Sequence, residues 1–407
     1  MILTQFVRFV ARKEELMDIR RLSLWEGRYA TYMSNDIFSA LIEDQGEVLL
    51  ELTSRTLSGA RINALALPYF RGTGSGVISD ANGEWWQNSE ALYQAGGGYF
   101  TFPSSSSEHI NSVSTYWTLR RYGTEEEHGG VWRLSEMKSR EEGNRFRLEK
   151  VDLLLPGHPV LYTALRITNT GEEELRGSLS WHSMLSSPLL ETASLISSDA
   201  RYWTAYALSR RESGFNRIMP GVVFDDLKHA PLVRGGNADA GFVPPPTGTY
   251  DYMIGKIPDK NPVGWAALNN PKCQLIYFMF TPRAEENDSF TFPNVDIAEN
   301  YLGRMDAPWA LFDGGTPEIR SVTLGFNTGP KGTKNLSLQP GQSRTVFVGN
   351  GFISYDNPRI GLGFYSVEFT EEGVVFKRTK SWALLPSDYH FRALKSLLEK
   401  LSESGEA

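Results

Sequence analysis

Six histidines are the residues of this chain best suited to moving protons near neutral pH: His109, His128, His158, His182, His229 and His390. His182 stands out. It follows Trp181 and precedes Ser183-Met184-Leu185, at the end of a predicted strand. That position puts an imidazole in the concavity of a sheet. His128 precedes Gly129-Gly130 and a predicted strand containing Trp132. His158 lies in Pro156-Gly157-His158-Pro159, where turn geometry is its expected task. For each, the alternative is a hydrogen-bonded structural histidine. Gly96-Gly97-Gly98-Tyr99-Phe100-Thr101-Phe102-Pro103 is either a tight connector or a ligand-facing loop. Acids gather in a long segment, as Asp225, Asp226 and Asp251 with Tyr252 beside it. Two carboxylates roughly 5 to 10 Å apart would hydrolyse a glycosidic bond.

Several chemistries lack their motif. Gly72-Thr73-Gly74-Ser75-Gly76 has no lysine in the phosphate-loop position and no helix pattern after it. There is no His-Glu-x-x-His, no Gly-x-Ser-x-Gly and no dinucleotide fingerprint. Cys273 is the single cysteine, so an internal disulfide and a cysteine-based zinc site are excluded. No metal or other cofactor is expected, although scattered carboxylates leave a calcium site open.

Charge and composition narrow the partners. In 407 residues, 41 Lys+Arg against 48 Asp+Glu give 41 − 48 = −7, which argues against nucleic acid. No run of about 18 apolar residues reads as a membrane span, and Met1–Val10 has no signal-peptide layout. A cytoplasmic protein, monomer or homodimer, is expected. Aromatics at 12% suit β-sheets and sugar-stacking surfaces.

The elements that must position these residues read as strands. Residues 28–52 form a predicted hairpin, turning at Asp44-Gln45-Gly46-Glu47. Tyr116–Tyr122, Val131–Lys138, Phe146–Leu155, Leu161–Thr168 and Glu174–Trp181 read as an antiparallel meander of five strands. Gln274–Thr281 and Arg344–Asn350 are later strands, with a loop-rich stretch from Pro293 to Thr316 between them. Phe224–Pro262 has weak periodicity and reads as a loop over one end of the sheets, bordering the pocket. The alternative is a linker. One helix is expected at the C-terminus. Ser387 can cap it, with Asp388 helping at its positive end, and Phe391, Leu394, Leu397, Leu398 and Leu401 form one apolar stripe that should dock on its own chain, the alternative being a second copy. The expected division is an N-terminal extension over 1–27, a β domain over 28–386, and a helix and tail over 387–407.

Leu155-Pro156-Gly157-His158-Pro159, Leu161-Tyr162, Arg166-Ile167-Thr168-Asn169-Thr170-Gly171 and Trp181-His182-Ser183 follow in an order that resembles the aldose 1-epimerases, the galactose mutarotase-like group. Gly96–Pro103, His128-Gly129 and Leu338-Gln339-Pro340-Gly341-Gln342-Ser343 fit the same order, over about Tyr29 to Asn350. The resemblance implies an all-β fold, a β-supersandwich of large antiparallel sheets with a sugar-binding concave face. It implies a carbohydrate ligand, and mutarotation at the anomeric centre of an aldose or sugar derivative. His182 would be the acid, and a carboxylate from a late strand the base, on opposite sides of the hemiacetal. His128 would hold hydroxyls. Tyr99, Asp251 and Tyr252 are further ligand-binding candidates. Two departures stand out. Ser104–Ser107 occupy the place of the group's arginine, and Gly325 falls near the expected late-strand acid. Glu318 is the candidate base and Glu299 a second nearby acid. A non-catalytic sugar-binding protein, or a glycoside hydrolase or lyase on the same scaffold, remain the alternatives.

Overall fold

Apolar side chains at every second position bury one face of a strand, and two such faces close a core between sheets. The computed structural model describes residues 17–23, 29–66, 96–103, 112, 116–141, 144–207, 216–283, 290–301, 320–329 and 335–403. A twelve-stranded and an eight-stranded antiparallel sheet dominate it. The larger runs from an edge strand, Asp18–Ser23, through three hairpin strands to Gly98–Thr101, Ser180–Leu185, Ser321–Asn327, Asn294–Tyr301, Thr249–Lys256, Arg201–Tyr206 and the far edge Val223–Phe224. The smaller contains Thr118–Glu125, Gly130–Glu141, Asn144–Leu154, Val160–Asn169 and Ser343–Ser354, then Leu275–Pro282, Val263–Asn270 and Leu195–Ser198.

The inner faces meet in one large core. Leu148, Leu154, Leu165 and Val348 of the smaller sheet share it with Trp181, Leu324, Ile297 and Met253 of the larger. A buried ionic network crosses this interface. Arg133 and Lys150, inward on the smaller sheet, meet Glu47 of the larger at 2.5 and 3.2 Å. Both also contact Asp152, at 3.3 and 3.1 Å. Thr163 donates to the other Asp152 oxygen. Together these contacts hold the Glu47 carboxylate below its ordinary range although it is fully buried.

The outer face of the smaller sheet is covered as well. Ser366–Thr370, Gly373–Arg378 and Ser381–Pro386 form a three-stranded sheet, and the helix Arg392–Glu403 follows. Phe391, Leu394, Leu397 and Leu398 pack with Tyr162, Phe278, Phe280 and Phe347 in a second core. The apolar stripe therefore docks on its own chain. Its N-terminus differs from expectation. Asp388, not Ser387, accepts the backbone N–H of Ala393, while Ser387 takes the Tyr162 hydroxyl.

Two expectations are corrected. The first four strands of the expected meander pair in order, but the fifth does not exist as one strand. Leu175–Gly177 pairs with Leu336–Leu338, and Ser180–Leu185 crosses into the other sheet. The break falls where Gly177 fits against Phe102 and Pro103. Phe224–Pro262 is not one loop, because Thr249–Lys256 is an interior strand of the twelve-stranded sheet. Five of its eight residues are buried, on both faces, which erases the alternation that betrays a half-exposed strand. Within 1–27, Asp18–Ser23 pairs with Tyr29–Ser34.

Shortening the helix stripe tests its contribution. Leu394→Ala should cost about 2–5 kcal/mol by opening a cavity in the second core, read as a lower midpoint in denaturant unfolding.

Candidate functional site

Residues directly opposite in an antiparallel pair share a face. His182 lies opposite Tyr99 on one side and opposite Gly325 on the other. Gly325 in turn lies opposite Asp296, and Asp296 opposite Ile254. One row across the centre of the larger sheet is thus Tyr99, His182, Gly325, Asp296 and Ile254. Neighbouring Trp181 points the other way, its indole N–H reaching Asn350 of the smaller sheet at 3.2 Å. The His182 row therefore faces away from the core.

His182 and Asp296 stand two strands apart, about 9.6 Å between backbones at ~4.8 Å per strand. Their side chains nevertheless meet over the intervening glycine, with Nε2 3.0 Å from the Asp296 carboxylate. A Cβ on Gly325 would collide with Asp296 Oδ1 and stand 2.6 Å from the His182 ring. The position that reads as a missing acid is the gap through which another acid reaches the imidazole. The Asp296 side chain is 2% exposed and that of His182 is 23%, so the imidazole is the accessible member. The bond to Asp296 fixes the neutral ring with its proton on Nε2, and Nδ1 has no hydrogen-bond partner among the described residues.

Aromatic rings flank the pair. Tyr99 meets His182 edge-on, with centroids 5.8 Å apart. Tyr252 stands near Asp296, and burial, with that carboxylate's charge, holds its phenol well above its ordinary pKa. Tyr206 packs on Tyr252, with centroids 5.8 Å apart. Further along the same face, Ser180 lies opposite Asn327. Ser180 Oγ, Asn327 Nδ2 and Asp296 Oδ1 are buried without hydrogen-bond partners.

Of the residues singled out in the sequence, His182, Tyr99 and Tyr252 come together. His128 does not join them. It lies in the turn between Thr118–Glu125 and Gly130–Glu141, in the smaller sheet, with Nδ1 3.0 Å from Glu125. Lys400 of the C-terminal helix contacts both Glu125 and Glu127 there, so His128 occupies a different layer from His182. Asp251 alternates with Tyr252 and takes the opposite face. It is fully buried and accepts the backbone N–H groups of Arg217 and Ile218 at 2.9 Å, which replaces ligand contact with a structural task. Asp226 caps a short helical turn and pairs with His229. Glu318 lies outside the described residues, as do Gly72–Gly83 and Ser104–Ser107. Asp296 was missed by sequence reasoning because its segment reads as loop. The available signal was Gly325 itself, a glycine inside an apolar strand pattern.

Asp251 belongs to a second, inward cluster. Arg217 binds Glu299 at 2.8 Å and stands 3.6 Å from Asp251. Burial pushes Glu299 up to about 8 despite this partner. It raises Asp251 as well.

The fold has counterparts among solved structures, at low identity. A galactose mutarotase-like protein from Clostridium acetobutylicum aligns over 83% of this chain and 99% of its own, with TM-score 0.54 and 12% identity. An aldose 1-epimerase candidate from Klebsiella pneumoniae aligns over 84% of each chain, with TM-score 0.59 and 12% identity. A mutarotase candidate from Salmonella typhimurium aligns over 84% of this chain and 97% of its own, with TM-score 0.53 and 10% identity. No family model and no curated protein matches the sequence. The fold is therefore galactose mutarotase-like, a β-supersandwich closed by a C-terminal helix. Among the described residues no helix is long and apolar enough to cross a membrane.

Two outcomes follow from this geometry. Gly325→Ala should part His182 from Asp296 and abolish the preference for the Nε2–H tautomer, seen in long-range ¹H–¹⁵N spectra of the imidazole. Glu299 has its folded pKa raised from 4.5 to about 8, so its stabilising contribution is full below 4.5 and is lost as pH rises through 8. Glu299→Gln should flatten that decline in denaturant midpoints measured across the interval.

Proposed function

We propose that the protein acts on the anomeric centre of an aldose or sugar derivative, with His182 as the proton-transfer group. The observation that carries this reading is the His182–Asp296 pair, placed over Gly325 on the outer face of the larger sheet. The mutarotase-like fold supports it.

Asp296 does not suit the role of a base on the far side of the ligand, because it touches the imidazole and leaves no space for a sugar between them. One imidazole suffices for a different reason. The anomeric hydroxyl and the ring oxygen are attached to the same carbon. Nδ1 of neutral His182 accepts the hydroxyl proton as C1=O1 forms and C1–O5 breaks. The imidazolium then returns that proton to O5, giving the open aldehyde. Rotation about C1–C2 and the reverse steps close the other anomer. No proton is gained or lost overall. Asp296 remains a carboxylate, holds the ring orientation through Nε2–H and stabilises the transient imidazolium. Tyr252, kept protonated by burial, stands near the carboxylate. Tyr99 supplies an aromatic wall beside the imidazole.

A second reading is sugar binding without turnover. It is favoured by Gly325 standing where a second acid–base group was expected.

Saturation-transfer NMR on a panel of aldoses tests both. The enzyme reading expects faster anomer exchange than buffer, reduced about 10²–10⁴-fold by His182→Ala and substantially by Asp296→Asn. Binding with no acceleration for any aldose would leave the binding reading. A modest loss of affinity in His182→Ala would agree with it.

A further inference from the structure

The strand that carries His182 is tied to the other sheet through both of its neighbours. Trp181 and Ser183 alternate with His182 and turn inward. The Trp181 indole N–H donates to Asn350 Oδ1 at 3.2 Å. The Ser183 hydroxyl donates to the same oxygen in a longer bond, at 3.4 Å. A third donor comes from the smaller sheet itself, the Tyr277 hydroxyl at 2.7 Å. All four residues are fully buried.

Asn350 lies in Ser343–Ser354, opposite Leu161 on one neighbouring strand and Met279 on the other. Both belong to the main core. A polar residue thus occupies a place where its partners on either side are apolar. Its oxygen takes three donors, while its Nδ2 has no hydrogen-bond partner among the described residues. Exchanging the amide nitrogen and oxygen would set N–H groups against those three donors, so the orientation is fixed. A buried donor without a partner lowers stability. Packing alone would favour an apolar side chain here, and the asparagine needs another reason. Apolar contact is non-directional and tolerates small displacements. A hydrogen bond to one fixed oxygen does not, because it weakens steeply with distance and angle. Two such bonds bracket His182. Its ring must meet Asp296 across Gly325, where the strand between them has no side chain to guide the contact.

We infer that Asn350 is a positioning residue for His182. Through Trp181 and Ser183 it fixes the height and twist of the strand, so that Nε2 of the imidazole reaches Asp296 and Nδ1 is presented outward. Asn350 lies on the core side of the sheet and touches no ligand. The catalytic use of this placement rests on His182 being the proton-transfer group, whereas the placement itself does not.

The experiment compares two substitutions at the same oxygen. Asn350→Leu removes the shared acceptor at similar side-chain size. Tyr277→Phe removes one donor, but that donor belongs to the smaller sheet, and the bonds to Trp181 and Ser183 remain. Both should lower the melting temperature. Only Asn350→Leu should change His182. In long-range ¹H–¹⁵N spectra, wild type and Tyr277→Phe should show the Nε2–H tautomer alone, and Asn350→Leu a mixture of both tautomers. In anomer exchange of an aldose, Asn350→Leu should lower kcat about tenfold with KM nearly unchanged, and Tyr277→Phe should leave both near wild type. If Asn350→Leu does not fold, Trp181→Phe takes its place, since it removes the indole donor and keeps an aromatic ring. A single Nε2–H tautomer retained in the variant that folds overturns the positioning role. An equal tautomer change in Tyr277→Phe also overturns it, because the core as a whole would then have loosened. If wild type exchanges no aldose while the tautomer mixture appears without any change in Tyr277→Phe, the acid–base reading falls and the positioning of the imidazole stands.

Discussion

An imidazole and a carboxylate two strands apart can meet only if the strand between them carries no side chain at that level. Gly325 satisfies this constraint, and the candidate site depends on it. The requirement is steric before it is chemical. Even a methyl group would overlap Asp296 Oδ1 and press on the His182 ring. The strand must also be in register with both neighbours, so that His182, Gly325 and Asp296 form one row. Registers of this kind are secured on the opposite face, where Trp181, Leu324 and Ile297 are packed into the core. The His182–Asp296 contact on the outer side is thus held by packing on the core side.

The core needs its own means of alignment, because apolar contact between sheets is non-directional. The ionic network around Glu47 supplies direction. Arg133 and Lys150 bring two positive charges to the interface, and Glu47 and Asp152 bring two negative ones. Breaking such a group leaves an uncompensated charge in a dry interior, which costs about 3–5 kcal/mol. A relative slip of the sheets would do the same. The C-terminal strands and helix close the outer side of the smaller sheet's central strands, over Tyr162, Phe278 and Phe347. On the outer face of the larger sheet the His182 side chain keeps 23% of its surface exposed among the described residues.

Much of this was legible in the residues. Short turns and alternating patterns marked the strands from Thr118 to Asn169, whose pairings are local. The C-terminal stripe was legible because helical periodicity is self-contained. His182 was singled out from its place after Trp181, although it lies inside Ser180–Leu185 and not at the strand end that the sequence suggested. Asp296 was not, for two reasons. Its strand, Asn294–Tyr301, is buried along most of both faces and shows no alternation. Its meaning also depends on pairing with Ser321–Asn327 and, through that strand, with Ser180–Leu185, which is 114 residues from Asp296 to His182. His128 misled for the opposite reason. A His-Gly pair before a strand is a local pattern, and it does not state which sheet the strand enters.

The pair Asp251 and Tyr252 shows how sharply strand parity divides function. Successive residues of a strand take opposite faces. Tyr252 therefore reaches Asp296, while Asp251 turns inward to Arg217 and its backbone. The next strand repeats the division, with Asp296 outward and Glu299, three residues on, inward. The inward acids neutralise one arginine and fix the segment at Arg217 and Ile218 against the sheet. The outward acid orients an imidazole. These carboxylates are alike in chemistry and close in sequence, and the face each occupies decides its task. A one-residue slip of Thr249–Lys256 would place Asp251 on the open face and send Tyr252 inward. The register that sets Asp251 opposite Glu299 on the inward side is thus the same register that sets Tyr252 on the same outward face as Asp296, so the two arrangements share one strand pairing.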